Sequence, residues 1–269
     1  MQHLRYTKDA ERHLAWITLD RPEARNAWSE PMIQGLIDAL DEAEDDDEVW
    51  VVLLTGEGSA FSAGGDLDAM QQRTGMFGGN SVRLRTAYAR NIQRVPRRLL
   101  AFDKPLIAVL QGHAIGAGLD LACMCDLRIA AQGARFGSTF VRLGLIPGDG
   151  GAYFLSRTVG YPTAMKLILT GEVIDADEAA RIGLVHEVVD PAALHDAALA
   201  LAGRITANGP LAVRLAKQGM ARSWDLPMEA ALDLAATYQA IAQRTADHAE
   251  GVDALRARRE PSFSGSTES

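Results

Sequence analysis

The stretch from residue 104 to 126, KPLIAVLQGHAIGAGLDLACMCD, most constrains how this chain can fold. An apolar run at 106–110 predicts a buried strand, and a glycine-rich turn then leads into a second apolar run at 119–125, typical of a buried helix. This order creates a binding site, because the first N–H groups of a helix have no intrahelical acceptor. Asp120 lies within the predicted helix. The stretch therefore predicts a site that holds an acyl oxygen beside a carboxylate.

The composition is that of a globular protein and excludes several classes of function. The chain has 269 residues, of which 48% are hydrophobic, and a net charge of −8. General nucleic-acid binding is disfavoured, because it needs a basic surface. The two cysteines, Cys123 and Cys125, lack the partners of a zinc site. The sequence shows no secretory signal and no apolar run of membrane length, which favours a cytoplasmic protein without a membrane partner.

Predicted strands and helices alternate as far as residue 205, and only helices are predicted after it. Strands are predicted at 13–19, 49–54, 106–110, 127–130 and 185–189, and a mobile loop at 71–80. Ser29 and Asp175 are predicted helix N-caps. Further helices are predicted at 84–100, 153–159, 164–169, 193–205, 210–222 and 228–248, and frayed residues at 261–269. We therefore predict an α/β core over residues 1–205 and a helical region over residues 206–269.

Two glycine loops that each run into a predicted helix carry the chemical signal. They are AGGD at 63–66 and GAG at 116–118. Two such loops can direct two backbone N–H groups at one oxygen and form an oxyanion hole, although glycines also mark ordinary tight turns. A dinucleotide-binding fingerprint would need a third glycine where Leu121 stands. A P-loop, a nucleophile elbow and metal-ligand spacing are absent from the sequence.

With these motifs, the chain resembles the enoyl-CoA hydratase/isomerase (crotonase) superfamily over nearly its whole length. The similar segments are LDRPEARNAWS, FSAGGDLDAM, KPLIAVLQGHAIGAGLDLACMCDLRIA, FGSTFVRLGLIPGDGG, LTGEVIDADEAARIGLVHEVV and EGVDALRARREPSF. The resemblance implies an α/β fold made of a crotonase-like spiral of ββα turns, with a C-terminal helical trimerisation region and assembly into homotrimers or dimers of trimers. It also implies acyl-CoA thioester substrates, with coenzyme A as part of the substrate and no further cofactor.

The resemblance assigns roles to individual positions. The oxyanion-hole amides fall on Gly65 and Ala117. Hydratases of this family use two glutamates, of which one falls on Asp120 and the other on Phe140, so that the second carboxylate is lost. Asp149 in GLIPGDGG is the candidate that compensates for this loss. The aspartate that isomerase and dehalogenase relatives carry in this loop aligns one residue earlier.

Both acidic candidates also have structural interpretations. Asp149 is alternatively the cap of a helix that begins near Gly150, and Asp120 is alternatively a helix acid bonded to backbone. The positions expected to contact the substrate or its coenzyme A share the pocket-lining segments of the family; they are Ala24, Arg25, Ala63, Gly64, Asp66, Leu67, His113 and Phe140. Arg25 is the candidate for the 3′-phosphate, Asp66 is preferred as a helix cap, and His113 is preferred as a structural histidine.

The leading functional prediction is an enoyl-CoA hydratase/isomerase-like enzyme that stabilises a thioester enolate. A single carboxylate suits isomerisation, because one group can remove and return a proton, whereas hydration needs a second group. The alternatives are a CoA-ester hydrolase, a C–C bond-cleaving crotonase and a non-catalytic homologue that binds CoA or RNA.

Overall fold

In the computed structural model, residues 2–266 are described and form two β-sheets. The larger sheet has the spatial order β1 (Leu4–Asp9), β2 (Leu14–Leu19), β3 (Val51–Gly56), β5 (Leu106–Leu110), β7 (Leu127–Ala131) and β10 (Glu187–Val189). The smaller sheet has the order β4 (Ala60–Ser62), β6 (His113–Ile115), β8 (Arg135–Gly137) and β9 (Val173–Asp175). Neighbouring strands are parallel except in the pairs β1–β2 and β8–β9.

Twelve α-helices accompany the sheets within residues 2–266. They are α1 (Glu30–Asp45), α2 (Leu67–Gln72), α3 (Ser81–Arg90), α4 (Arg94–Ala101), α5 (Ala117–Met124), α6 (Gly151–Val159), α7 (Tyr161–Thr170), α8 (Ala176–Arg181), α9 (Leu194–Thr206), α10 (Pro210–Ser223), α11 (Met228–Ala242) and α12 (Ala246–Ala257). The predicted N-caps Ser29 and Asp175 are confirmed, because their side chains accept hydrogen bonds from the amides of Met32 and Glu178.

From β3 to β8, consecutive strands alternate between the two sheets. The chain passes from β3 to β4, from β5 to β6 and from β7 to β8, and helices follow each of these steps. Each step thus contributes one strand to each sheet and then a helix, which confirms the expected spiral of ββα turns. The alternation brings β4 and β6, which precede the two glycine loops, side by side in the smaller sheet.

Helix α5 lies at the centre of the main core, and all eight of its residues are buried. Strand β5 is likewise buried along its whole length, so the continuous apolar pattern of residues 104–126 reflects burial on every side. A second apolar core on the other face of the larger sheet involves α9, which packs against β3, β5 and β7.

Helix α10 is fastened to both ends of the stretch 104–126 by one side chain. The Lys217 ammonium donates to the Lys104 carbonyl at 2.7 Å and pairs with the Asp126 carboxylate at 2.8 Å. Asp126 also accepts a hydrogen bond from the Leu106 amide at 2.7 Å. The C-terminal helical region therefore holds the ends of the segment that carries the second glycine loop.

Several local predictions were wrong. The patterns missed β1, whose sequence LRYTKD is mostly polar, and the three-residue strands β4, β6, β8 and β9. The predicted helices 84–100 and 228–248 are each two helices, and residues 71–80 contain a 3₁₀ turn that buries Met76. Residues 261–266 have no regular structure, but amides of Ser264 and Gly265 bind Asp247; residues 267–269 lie outside the described part. Within residues 2–266, no helix is long and apolar enough to span a membrane.

Candidate active site

A largely apolar cavity of about 280 Å³ opens where the two glycine loops meet. Gly65 of the first loop and Ala117 of the second lie on its wall, with Phe140 and Asp149 from the segment between β8 and α6, and Tyr88 from α3. The cavity is thus lined by both glycine loops, by α3 and by the segment between β8 and α6.

The glycines in these loops allow the two backbones to touch. A Cβ on Gly64 would lie 2.5 Å from the Ile115 carbonyl oxygen, and Gly64 has a φ of +87°, which side-chain-bearing residues rarely adopt. A Cβ on Gly118 would lie 2.2 Å from the Ser62 carbonyl oxygen. The close approach leaves no room for a side chain at either position, so these glycines do more than mark turns.

The amides of Gly65 and Ala117 are free to bind a ligand. Ala117 is the first residue of α5, so its N–H has no intrahelical acceptor. Within residues 2–266, neither this N–H nor that of Gly65 donates a hydrogen bond to another residue. Both residues line the cavity, and the arrangement suits two donors to one carbonyl oxygen.

The first loop is held by a buried asparagine that the sequence reading did not single out. The Asn26 side chain donates to the carbonyls of Ala60 and Glu57 at 2.8 and 3.0 Å. Its own backbone carbonyl accepts from the Ser62 hydroxyl at 2.8 Å. Because Ser62 directly precedes the loop at 63–66, these bonds fix the loop that carries Gly65.

Two buried aspartates, Asp120 and Asp149, lie at one side of the cavity, and only Asp149 lines it. Asp149 lines the cavity, whereas Asp120 on α5 is fully buried behind it. The Asp120 carboxylate lies against the first residue of α6, where a Cβ on Gly151 would be 2.0 Å from its Oδ2. The structure thus places Asp149, rather than Asp120, where a substrate would be.

The two carboxylates influence each other's ionisation. Burial, the neighbouring Asp149 and, less strongly, Cys123 raise the pKa of Asp120 well above its ordinary value. Burial also raises the pKa of Asp149, although the Asp120 side chain and the amides of Asp149 and Gly151 oppose part of the rise. No carboxylate oxygen of either residue has a partner at full hydrogen-bond geometry within residues 2–266. A pair this buried and this close favours a state that holds one proton.

Asp149 does not cap the helix that follows it. The N-cap of α6 is Gly150, with a φ of +104°, and no side chain accepts a hydrogen bond at that position. The structural interpretation of Asp149 was therefore wrong. A nearly fully buried carboxylate without a capping role costs free energy, which makes a chemical role the better explanation.

The comparisons with known proteins agree with this geometry. The family model described as enoyl-CoA hydratase/isomerase matches residues 9–266. The chain belongs to the enoyl-CoA hydratase/isomerase family. It is 40% identical to the short-chain-enoyl-CoA hydratase of Clostridium acetobutylicum over 225 residues, which cover 83% of this chain and 84% of that one.

A second relative and a solved structure extend the match within the enoyl-CoA hydratase/isomerase family. The chain is 37% identical to the 1,2-epoxyphenylacetyl-CoA isomerase of Escherichia coli (strain K12) over 255 residues, 95% of this chain and 96% of that one. The crystal structure of an enoyl-CoA hydratase from Bacillus anthracis superposes with a TM-score of 0.91 at 33% identity, covering 98% of this chain and all of that one. Relatives thus carry both hydratase and isomerase names.

The positions predicted to contact substrate divide into two groups. Ala63, Leu67 and Phe140 line the cavity, and Phe140 stands there as an apolar wall. The others do not line it; they are Ala24, Arg25, Gly64, Asp66 and His113.

The surroundings of two positions outside the cavity, Asp66 and His113, show what these residues do in the fold. Asp66 caps α2 through the Ala69 amide at 3.0 Å and pairs with Arg21 at 2.8 Å, which confirms the preferred cap. His113 is exposed on β6 and its side chain has no hydrogen bond within residues 2–266, so it is neither pocket wall nor a bonded structural histidine.

Tyr88 and Arg142 are polar cavity residues that the sequence analysis did not predict. Tyr88 lies on α3, where it and Leu84 recur four residues apart and form the apolar side of an arginine-rich helix. This spacing was the available signal. Tyr88 also borders a second cavity of about 560 Å³, which shares Leu67, Met70, Phe77, Leu143 and Leu145 with the first.

Proposed function

We propose that this enoyl-CoA hydratase/isomerase-like enzyme moves a carbon–carbon double bond along an acyl-CoA by proton transfer. The observation that carries the proposal is that Asp149 is, among residues 2–266, the one carboxylate on the cavity wall. One carboxylate suffices as the base for such a shift, because the proton that one carbon loses is balanced by a proton that another carbon gains. Phe140, on the same wall, can neither donate nor accept a proton.

In the proposed reaction, the thioester carbonyl accepts hydrogen bonds from the amides of Gly65 and Ala117. These donors stabilise the negative charge that develops on oxygen as a proton leaves the neighbouring carbon. Asp149 takes that proton, and its raised pKa matches it to the task better than an exposed aspartate. Asp120 keeps the one proton that the pair holds before the reaction and stays out of contact with the substrate.

The substrate class follows from the cavity and from the family. The lining around Asp149 is mostly apolar, which suits the acyl chain, and the adjoining cavity of about 560 Å³ offers room for its distal end. Coenzyme A belongs to the substrate in this proposal, with no further cofactor. Arg25, which is exposed beside the first loop, is the proposed contact for a CoA phosphate.

Hydration is the second candidate, since the relative from Clostridium acetobutylicum is named a short-chain-enoyl-CoA hydratase. The deciding experiment incubates the protein in D₂O with 2-enoyl- and 3-enoyl-CoA thioesters of several lengths and analyses the products by mass spectrometry and NMR. We expect double-bond isomers of the substrate whose only change in composition is the replacement of hydrogen by solvent deuterium. Asp149→Asn is expected to slow their formation by about 10²- to 10⁴-fold.

Other products would contradict the proposed isomerisation in distinct ways. A product that has gained one water, with no isomer formed, would identify a hydratase. Release of free coenzyme A would identify a hydrolase, and a shortened acyl group would identify a C–C bond-cleaving enzyme. Thermal stabilisation by acyl-CoA without any product identifies a binding protein. The control variant is Asp190→Asn, which alters an exposed aspartate that caps a 3₁₀ turn outside the cavity.

We also propose that the chain forms a homotrimer or a dimer of trimers. Large apolar side chains are exposed on α10–α12, where Met220, Met228 and Leu255 are each at least 74% exposed. Exposed apolar surface of this kind is typical of a subunit interface. Analytical ultracentrifugation should give three or six chains per particle, and a monomer would contradict the proposal. The cytoplasmic location stays a prediction.

A further inference from the structure

Tyr88 brings a phenol into the cavity that holds Asp149. Its ring packs on the segment that carries the aspartate, since a Cβ on Gly148 would lie 2.9 Å from the ring carbon Cε1. The two side chains come from different elements, Tyr88 from α3 and Asp149 from the loop before α6. Both line the same cavity. A substrate between them would therefore meet a carboxylate and a phenol.

The hydroxyl of Tyr88 is available to such a substrate. Within residues 2–266 it makes no hydrogen bond, and Tyr88 is only partly buried. The hydroxyl of Tyr6 is also unpartnered, but it is sealed from solvent, whereas that of Tyr88 is not. A partly buried phenol without a partner, on the wall of a cavity, is a donor that a ligand can satisfy.

The charge environment keeps this phenol protonated. Burial raises the pKa of Tyr88, and the nearby Asp149 carboxylate raises it further. At neutral pH the group is therefore a proton donor facing a carboxylate that acts as an acceptor. Groups with opposite proton roles on one cavity wall are the arrangement that acid–base catalysis requires.

We propose that Tyr88 is the catalytic acid that delivers a proton to the γ-carbon of the acyl chain while Asp149 removes one from the α-carbon. This assignment rests on the proposed double-bond shift. The Asp149 carboxylate takes the C2 proton, and the C–H electron pair forms a dienolate. The C3–C4 π pair then forms a C4–H bond with the phenolic proton as the O–H bond breaks.

The protons that the two side chains gain and lose balance within the site. The enolate electrons re-form the thioester carbonyl as the C2–C3 double bond forms, which leaves a Tyr88 phenolate and a protonated Asp149. The proton of Asp149 then passes to the phenolate and restores both groups. No atom is gained or lost by the substrate, and no oxidant or further reactant is needed.

The test is Tyr88→Phe, which removes the hydroxyl and keeps the ring on Gly148. We expect kcat for 3-enoyl-CoA isomerisation to fall about 10²-fold or more, with KM within about twofold of wild type. Exchange of the α-hydrogens of a saturated acyl-CoA with D₂O requires only Asp149 and the two amides, so it should continue at the wild-type rate. Tyr161→Phe is the matched control, because Tyr161 is 68% exposed and outside the cavity.

A second measurement replaces Tyr88 by 3-fluorotyrosine, whose phenol is more acidic. The basic limb of the kcat–pH profile should move to lower pH. The assignment would be overturned if Tyr88→Phe isomerised 3-enoyl-CoA at the wild-type rate. It would also be overturned if 3-fluorotyrosine left the basic limb of the kcat–pH profile unchanged. Loss of α-hydrogen exchange in Tyr88→Phe would also overturn it, because the ring would then be structural. Absence of that exchange in the wild type would instead overturn the proposed function and this assignment with it.

Discussion

In the amide half of the cavity, which holds Gly65 and Ala117, contacts between backbones set the geometry. In the acid half, which holds Asp149 and Tyr88, side chains from separate segments set it. The first half needs glycine at its contact points and tolerates alanine at 117, because the proposed role of that residue uses only its N–H. The second half changes its chemistry with a single side chain. An enzyme family can thus keep one half and vary the reaction through the other.

Gly64→Ala should break the amide half and have the largest effect. The new Cβ would meet the Ile115 carbonyl oxygen at 2.5 Å, and alanine disfavours the φ of +87°. The loop would have to move, and the Gly65 amide would move with it. Loss of one oxyanion-hole donor typically reduces kcat about 10²- to 10³-fold, and we expect a reduction of that size in the isomerase assay.

The control for this prediction is Gly203→Ala. Gly203 lies within α9, and a Cβ there would meet nothing within 4 Å. This variant should retain wild-type turnover and melt no earlier than the wild type. Equal turnover of Gly64→Ala and Gly203→Ala would show that the backbone contact does not position the amide.

Asp120→Asn should affect the acid half less, because Asp120 does not line the cavity. An asparagine can still donate a hydrogen bond toward Asp149, so kcat should fall only about tenfold, a modest share of the 10²–10⁴ that a direct proton-transfer group contributes. Abolished turnover would place Asp120 in direct contact with the chemistry. The rate is measured in the same isomerase assay after circular dichroism confirms folding.

The same variant has a pH-dependent stability that sharpens the assignment. Burial raises the pKa of Asp120, so the folded chain retains a proton that the unfolded chain releases above about pH 4. Wild-type stability therefore falls as pH rises from that value through the raised pKa. The asparagine of the variant has no such proton to lose, so the melting temperature of Asp120→Asn should rise relative to that of the wild type as the pH increases above about 4. Parallel curves would show that Asp120 has an ordinary pKa.

Phe140→Glu should have the smallest effect, a gain of several-fold in crotonyl-CoA hydration. It restores a carboxylate at the position that hydratases of the family use, and one acid–base group contributes at most about 10²- to 10⁴-fold when fully positioned. The cavity lining is mostly apolar, so we expect a small part of that range. Phe140→Leu keeps the wall apolar and is the control. No hydration by a folded Phe140→Glu would mean that the cavity shape excludes water.

The sequence predicted the amide half better than the acid half for a physical reason. Glycine is required at 64 and 118 where the two loops touch, and this requirement leaves a glycine motif in each loop that can be recognised in the sequence. The position of Asp149 on the cavity wall and the burial of Asp120 behind it depend on how α5 meets α6, and no local pattern reports that. Tyr88 lies on an arginine-rich helix. Its spacing from Leu84 marks the apolar side of that helix, but its place on the cavity wall appeared only in three dimensions.

The bonds of Lys217 to the Lys104 carbonyl and the Asp126 carboxylate join the C-terminal region to the segment that carries the Ala117 amide. Residues 104 and 126 bound the strand, the glycine turn and the helix that carries the Ala117 amide. Lys217 on α10 thus connects the two ends of this segment. The predicted division at residue 205 separates two patterns of sequence, and a side chain from beyond it holds both ends of the segment that carries the Ala117 amide.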